Sequence, residues 1–232
     1  MKKGGYAEYA VTTAHSISRI PDAVTFEEAA AGYTANEALF RKLPMNHIKT
    51  ILIHGGAGGV GGFGVQFAKN AGKTVFSTAS AHNHEYVKSL GADYVIDYRE
   101  ESVVEKVLEL TNGRGVDAVL DTVNAKNATD SLDMIAYRGH LAHIAGAPDD
   151  TKVKPITKVI SYHEVALNAA HRIDDMIAQA DLAKMGDELL ALVAEKKVAP
   201  MIERIISLKE MPSALEELSK RHVKGKIIAK IK

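Results

Sequence analysis

No cysteine occurs anywhere in the 232 residues. Disulfides and thiolate-ligated zinc are therefore excluded from this chain. Net charge is missing too. The 29 Lys and Arg are matched by 29 Asp and Glu, for a formal charge of +0, so nothing points to a nucleic-acid partner or a membrane surface. No apolar run reaches the ~20 residues of a membrane span, and no signal peptide precedes Lys2 and Lys3. A cytoplasmic protein is the expectation. There are no internal repeats or low-complexity tracts. A chain of this length can bury a sizeable core, as one large or two small domains.

What the chain does have is a glycine-rich stretch. Residues 51–69 read ILIHGGAGGVGGFGVQFAK. An apolar run at strand spacing leads into Gly56-Ala57-Gly58-Gly59-Val60-Gly61, and a helix follows with Val60, Phe63, Phe67 and Ala68 on one face. Strand, tight glycine turn and helix in that order make the dinucleotide-binding fingerprint G-x-G-x-x-G. Gly56 permits the turn, Gly58 lets the backbone approach a pyrophosphate, and Gly61 lets the helix pack closely on the strand. The N–H groups of Gly59, Val60 and Gly61 then face the phosphates at the positive end of the helix. A glycine turn built for packing alone is the competing reading, and the flanking strand and helix favour nucleotide binding.

From residue 50 to 146, strand and helix alternate. Strands are expected at 51–54, 74–78, 94–97, 116–121 and 140–145, and helices at 60–71, 83–90, 102–111 and 125–137. Such alternation predicts an α/β fold, a Rossmann doubly wound parallel sheet with helices on both faces and right-handed crossovers. Gly72, Gly91, Gly113 and Gly139 stand just past helix ends, where a left-handed C-cap favours glycine. Upstream, 6–11 and 17–21 read as short strands. Thr25 reads as the N-cap of a helix over 26–42, interrupted near Gly32 and Tyr33 and stopped before Pro44. Downstream, 165–168 reads as a strand and 173–195 as a long amphipathic helix. Strand, helix and strand follow at 202–207, 212–220 and 226–231.

The segments GGYAEYAV, PDAVTFEEAAAGYTANEAL, ILIHGGAGGVGGFGVQFAK, VKSLGADYVIDYREE, VDAVLDTV, GHLAHIAG and RHVKGKIIAKI together resemble the medium-chain dehydrogenase/reductase superfamily. The branch they resemble is that of the zinc-free quinone oxidoreductases and alkenal (enone) reductases. The resemblance implies three parts: residues 1–25 as the remnant of an N-terminal chaperonin-10-like catalytic β domain, 26–200 as the Rossmann domain, and 201–232 as a segment returning to that remnant. It also implies that roughly 100 residues, a small domain's worth, precede this region in the family, and that residues 31–34 are shorter than usual. Tyr6, Tyr9, Val11, Ile17 and Ile20 are then expected to pair with Ile202, Ile205, Ile206, Ile227 and Ile228. The competing Rossmann family, the short-chain reductases, needs a Tyr-x-x-x-Lys pair. None of the eight tyrosines has a lysine four residues on.

NAD binders place a carboxylate at the end of the second strand, about 20 residues past the glycines. Here that end reads Thr78-Ala79-Ser80-Ala81-His82-Asn83, with no acid before Glu85. A carboxylate would repel a 2′-phosphate, whereas hydroxyl and amide groups accommodate it, so NADPH is the expected cofactor. The resemblance implies that Ser80, Asn83 and Tyr98 hold the 2′-phosphate, with His82 or His84 replacing the lysine of many relatives. A solvated loop with two surface histidines is the bland alternative. The resemblance further implies that Thr34 touches the nicotinamide amide and that Ala145, Gly146 and Ala147 border the ring. No metal site is expected. His140 and His143 lie three apart on a strand and so point to opposite faces, and the superfamily's zinc enzymes use cysteine ligands. No proton donor or other catalytic residue is assigned.

The function implied is NADPH-dependent hydride transfer to a small-molecule quinone or activated C=C bond, impaired by the missing catalytic domain. The alternative is a non-catalytic nucleotide-binding module completed by a partner. A homodimer formed through the apolar edge strand at 165–168 is also expected.

Overall fold

The computed structural model describes residues 5–30, 34–220 and 223–231. Gly32 and Tyr33, where the first helix was expected to break, lie outside the described residues. Helix α1 is Phe26–Ala29. The Thr25 hydroxyl accepts from the Glu28 N–H at 3.2 Å, and the Glu28 carboxylate accepts from the Thr25 N–H at 2.8 Å. That reciprocal capping box satisfies two otherwise orphaned donors. Helix α2, Thr34–Glu37, continues as a π-helical turn over Ala38–Lys42 and ends before Pro44.

The alternating region then unfolds in order as β1 (Thr50–Ile53), α3 (Gly61–Asn70), β2 (Thr74–Thr78), α4 (His84–Ser89), β3 (Tyr94–Ile96) and α5 (Val103–Leu110). It continues as β4 (Val116–Asp121), α6 (Ala125–Ser131), β5 (Ile135–His143) and β6 (Ser161–Glu164). The six strands form one sheet in the order β3-β2-β1-β4-β5-β6, and every pairing is parallel. Ile51, Leu52 and Ile53 have no exposed surface, as a central parallel strand covered on both faces requires. Leu52, Phe76, Val119 and Leu141 pack with Val107 and Leu132 in one core. The strand order reverses between β1 and β4, the switch point at whose carboxyl edge a doubly wound sheet receives its ligand, and the glycine turn stands there.

Three sequence expectations shift here. The helix expected over 125–137 ends at Ser131, and β5 already begins at Ile135, because Met134, Ile135 and Ala136 are needed in the core. Gly72, Gly91 and Gly113 take positive φ as expected, but Gly139 does not, and the left-handed residue there is Arg138. An added Cβ on Gly139 would lie 2.5 Å from Ile135 Cγ2 and 2.9 Å from the Asp117 carbonyl oxygen. Glycine is required there by close approach of β5's own Ile135 and Ala136 and of β4's Asp117, not by a helix cap. The edge strand expected at 165–168 is instead β6, with Ser161 opposite His140 and Glu164 opposite His143.

The described residues fall into two compact units, Thr34–Ala166 with the sheet, and Met1–Tyr33 with Leu167–Lys232. In the second, α7 is Asn168–Arg172, α8 is Met176–Ala194, β7 is Ile202–Ser207, α9 is Met211–Ser219 and β8 is Lys226–Lys230. The Asp175 carboxylate caps α8, accepting from the N–H groups of Ile177 and Ala178 at 3.0 Å each. β7 and β8 pair in parallel.

Neither strand expected at 6–11 or 17–21 forms. A 3₁₀ turn occupies Ala14–Ser16, and the segment is tied along α8. His15 Nε2 lies 2.9 Å from Gln179 Oε1, the Ser18 hydroxyl donates to the Ala183 carbonyl at 2.6 Å, and the Arg19 N–H donates to Asp187 at 3.2 Å. Tyr6, Tyr9, Val11 and Ile17 are exposed, so they do not bury themselves against the C-terminal isoleucines, of which Ile205 stands opposite Ile228 across β7 and β8. An isolated two-stranded ribbon is marginal in water, and side-chain bonds to a helix replace it. No helix among the described residues is long and apolar enough to cross a membrane.

Candidate functional site

The glycine turn leaves β1 at the carboxyl edge of the sheet. The Gly56 N–H donates to the Thr78 carbonyl at 3.0 Å, the Gly58 N–H to the Gly55 carbonyl at 2.9 Å, and the Gly62 N–H to the Gly58 carbonyl at 2.9 Å. A Cβ at Gly56 would lie 2.1 Å from Ser77 Oγ, and one at Gly61 would lie 2.2 Å from the Gly55 carbonyl oxygen. Those two glycines are demanded by packing of turn against strand and helix. At Gly58 the nearest atom would be 3.3 Å away, so the protein's own packing demands far less there and the backbone is left approachable. Gly59 and Val60 are partly exposed. Val60 stands at the N-cap of α3 without a side-chain hydrogen bond, so no side chain competes for the helix's first N–H groups.

A second constellation follows β2. Ser80 and Asn83 are buried. The Asn83 N–H donates to the Ser80 carbonyl at 2.8 Å, and the Asn83 side-chain amide donates to Ser80 Oγ at 3.4 Å. Asn83 Oδ1 is buried with no partner among the described residues. Of the two histidines expected to help, His84 donates from Nε2 to the Ala79 carbonyl at 3.1 Å. His82 is exposed, its Nε2 3.5 Å from Ser80 Oγ.

Sequence reasoning missed what holds this loop. Asp97, at the end of β3, accepts from the Ala81 N–H at 2.9 Å and from the Arg99 N–H at 3.0 Å. The signal was an acid directly after the apolar run in YVID, at a strand's carboxyl end. Tyr98 is half exposed, and the Arg99 guanidinium sits 5.7 Å from its ring centroid. That contact brings a fixed positive charge beside Tyr98, a second residue the sequence reading passed over.

Ala145 and Ala147 are exposed beyond β5, and Gly146 has φ 138° with Ala125 N only 3.0 Å from where a Cβ would stand. The Ile144 N–H donates to the Asp121 carbonyl at 3.1 Å, which ties this loop to the end of β4. Thr34 is partly buried at the first residue of α2, and α2 packs on α3. The glycine turn, the 80–83 loop and the 145–147 loop thus share the carboxyl edge of one sheet. His140 and His143 do not converge. His140 Nδ1 meets His163 Nε2 across β5 and β6 at 3.1 Å, while His143 is separately buried.

Residues 59–191 match the family described as zinc-binding dehydrogenase. The quinone oxidoreductase of Pseudomonas aeruginosa is 32% identical over 235 residues, covering 97% of this chain and 71% of that protein. The solved quinone oxidoreductase of Pseudomonas syringae pv. Tomato aligns with a TM-score of 0.77 at 31% identity, over 91% of this chain and 66% of its own. A mycobacterial protein solved in complex with NADPH gives a TM-score of 0.82 at 28% identity, over 97% of this chain and 72% of its own. The chain belongs to the medium-chain dehydrogenase/reductase superfamily. Within that superfamily it falls in the quinone oxidoreductase-like branch, and it spans just under two thirds of the length of the Pseudomonas syringae enzyme.

The superfamily implies two groups that the residues can be tested against. Zinc does not fit. The chain has no cysteine, and among the described residues no three His, Asp or Glu are placed to hold a metal ion. A nicotinamide dinucleotide does fit. The turn is held open by glycines, the N-terminus of α3 has no side-chain cap, and Asn83 Oδ1 is a buried acceptor awaiting a donor.

Proposed function

We propose that this chain supplies the cofactor site of an NADPH-dependent reductase that delivers a hydride to a quinone or an activated C=C bond. The observation that carries the reading is the pairing of an uncapped glycine turn at the end of β1 with an acid-free, half-polar loop, residues 80–83, at the end of β2. The bound nicotinamide supplies the hydride. The chain's part is positioning. The N–H groups of Gly59, Val60 and Gly61 hold the pyrophosphate, and Gly58 lets the backbone approach it. The Ser80 hydroxyl, with Asn83 turned to present its amide N–H and with Tyr98 and Arg99 alongside, donates to the 2′-phosphate. Thr34, Ala145, Gly146 and Ala147 set the nicotinamide. The relative solved with NADPH supports this choice of cofactor.

The same reading keeps the division into residues 1–25, 26–200 and 201–232, with the middle part as the dinucleotide domain. It puts the homodimer contact expected at the sheet's edge on β6, the edge strand, since an edge strand invites pairing with another chain. Exposure of Tyr6, Tyr9, Val11 and Ile17 favours a second reading, in which the chain binds the nucleotide and a partner surface completes the substrate pocket.

Steady-state oxidation of NADPH with a quinone and with an enone separates the two. Turnover with either acceptor by the chain alone supports the reductase. NADPH binding without turnover supports the module, and absence of binding removes both.

A further inference from the structure

A buried polar chain lies beneath the glycine turn, and the proposed reaction leaves it unused. The Gly55 N–H donates to Thr78 Oγ1 at 3.1 Å, and Thr78 Oγ1 lies 3.3 Å from His54 Nδ1. His54 Nε2 lies 3.0 Å from Ser131 Oγ, whose hydroxyl donates to the Asn127 carbonyl at 2.8 Å. The Asn127 amide donates in turn to Asp121. His54, Thr78, Ser131 and Asp121 are all buried.

One arrangement of protons serves every member. Ser131 gives its only proton to Asn127, so toward His54 it must accept, and the imidazole carries its proton on Nε2. Thr78 already accepts from Gly55, and its own proton goes to a bare Nδ1. A second proton on His54 would leave the Thr78 hydroxyl facing two N–H donors, with its own proton unplaced. The charged groups facing His54 are Asp121 at the end of β4 and Asp130 on α6. Both favour a charged imidazole, but burial outweighs them and pushes His54 down to about 4. The backbone of His54 is pinned as well, because the Thr122 hydroxyl donates to its carbonyl at 2.8 Å.

We propose that His54 is a positioning residue for cofactor binding. As the Nε2–H tautomer it aims the Thr78 hydroxyl, Thr78 holds the Gly55 N–H, and Gly55 at φ 71° sets the turn that receives the pyrophosphate. This inference rests on the proposed nucleotide site, and its test therefore includes a readout that needs no cofactor.

Amide exchange at Gly55 is measured by NMR in the parent, His54→Leu, His54→Gln and Thr78→Val. Leucine can neither accept from Thr78 nor donate to Ser131, and exchange at Gly55 accelerates roughly tenfold or more, as it does in Thr78→Val. The glutamine amide can do both and stays within about threefold of the parent. NADPH affinity follows the same ranking, and the parent's imidazole nitrogen shifts show a protonated Nε2 and a bare Nδ1 unchanged between pH 8 and pH 5.5. If His54→Leu does not fold, Thr78→Val and the parent's imidazole spectrum decide. Unchanged Gly55 exchange in Thr78→Val or His54→Leu, or a proton on Nδ1, overturns the proposal. Preserved exchange ranking in a parent that binds no NADPH overturns the nucleotide site but supports His54 as the residue that sets the turn.

Discussion

The Cβ that Gly61 lacks would stand 2.2 Å from the carbonyl oxygen of Gly55. The first residue of α3 and the first glycine after β1 are therefore in backbone contact, and the turn between them has one geometry. Gly61→Ala must push α3 off the sheet or break the turn. The expected cost is about 1–3 kcal/mol by urea unfolding, with loss of NADPH binding. Retention of both stability and binding would show that the turn tolerates a side chain and is not the cradle described here.

Ser80 is buried at the position where a NAD enzyme carries its acid. Ser80→Asp should invert the cofactor preference, weakening NADPH by repulsion of its 2′-phosphate and strengthening NADH. Parallel titrations of both cofactors against parent and variant check this. Equal weakening of the two would mean that residue 80 does not face the ribose.

Asp97 fixes the same loop from the neighbouring strand. Asp97→Ala strands the N–H groups of Ala81 and Arg99, at about 1–3 kcal/mol. NADPH affinity should fall more than NADH affinity, because the loosened loop carries the 2′-phosphate contacts. A stability loss with no change in the ratio of the two affinities would confine Asp97 to a structural role.

His54 gives the fold a defined acid sensitivity. Its folded value of about 4 lies below the 6.5 of a free imidazole, so between those values the unfolded chain binds more protons than the folded one. Stability from this group is complete above pH ~6.5 and is lost as pH falls toward ~4, at about 1.4 kcal/mol per pH unit. The difference between parent and His54→Gln in urea midpoint across that window isolates it. Parallel curves for the two proteins would contradict the assignment.

Asp117 acts at the opposite, amino edge of the sheet. Its carboxylate accepts from the N–H groups of Lys49 and Thr50 at 2.9 Å each, from the Thr50 hydroxyl at 3.1 Å, and from Arg114. Burial alone would raise this carboxyl, but those bonds outweigh it and hold it below the usual carboxylate range. Its contribution is present above pH ~4 and is lost as pH falls through the lowered value. Asp117→Asn should destabilise by about 1–3 kcal/mol at neutral pH and leave NADPH affinity unchanged. A change in affinity would mean that the two edges of the sheet are not independent.

The parallel sheet was readable because its signals were local and repeated: apolar runs over 51–54, 74–78 and 116–121, each followed by a helix, with Gly72 and Gly91 closing the first two. The glycine turn was readable for the same reason, since its chemistry lies within a few consecutive residues. What escaped depends on partners far apart in the chain. Asp97 becomes legible only when β3 stands beside β2, and the His54 network only when Ser131 comes under β1. β6 was placed a few residues late because Val165 looks more strand-like than Ser161 or Glu164. Its register sets Ser161 opposite His140 and Glu164 opposite His143, a pairing between strands separated by residues 144–160 of the chain. The segments at 6–11 and 17–21 have strand composition, but α8 offers His15, Ser18 and Arg19 hydrogen bonds in place of a ladder.

The central claim is that this chain binds NADPH at the carboxyl edge of its sheet through the glycine turn and the loop after β2. Calorimetric titration of the purified chain with NADPH and, separately, NADH tests it most directly. The account predicts one site per chain for NADPH, with NADH roughly tenfold weaker or more, a difference of about 1.4 kcal/mol. No heat with NADPH, or NADH binding as tightly as NADPH, would contradict it.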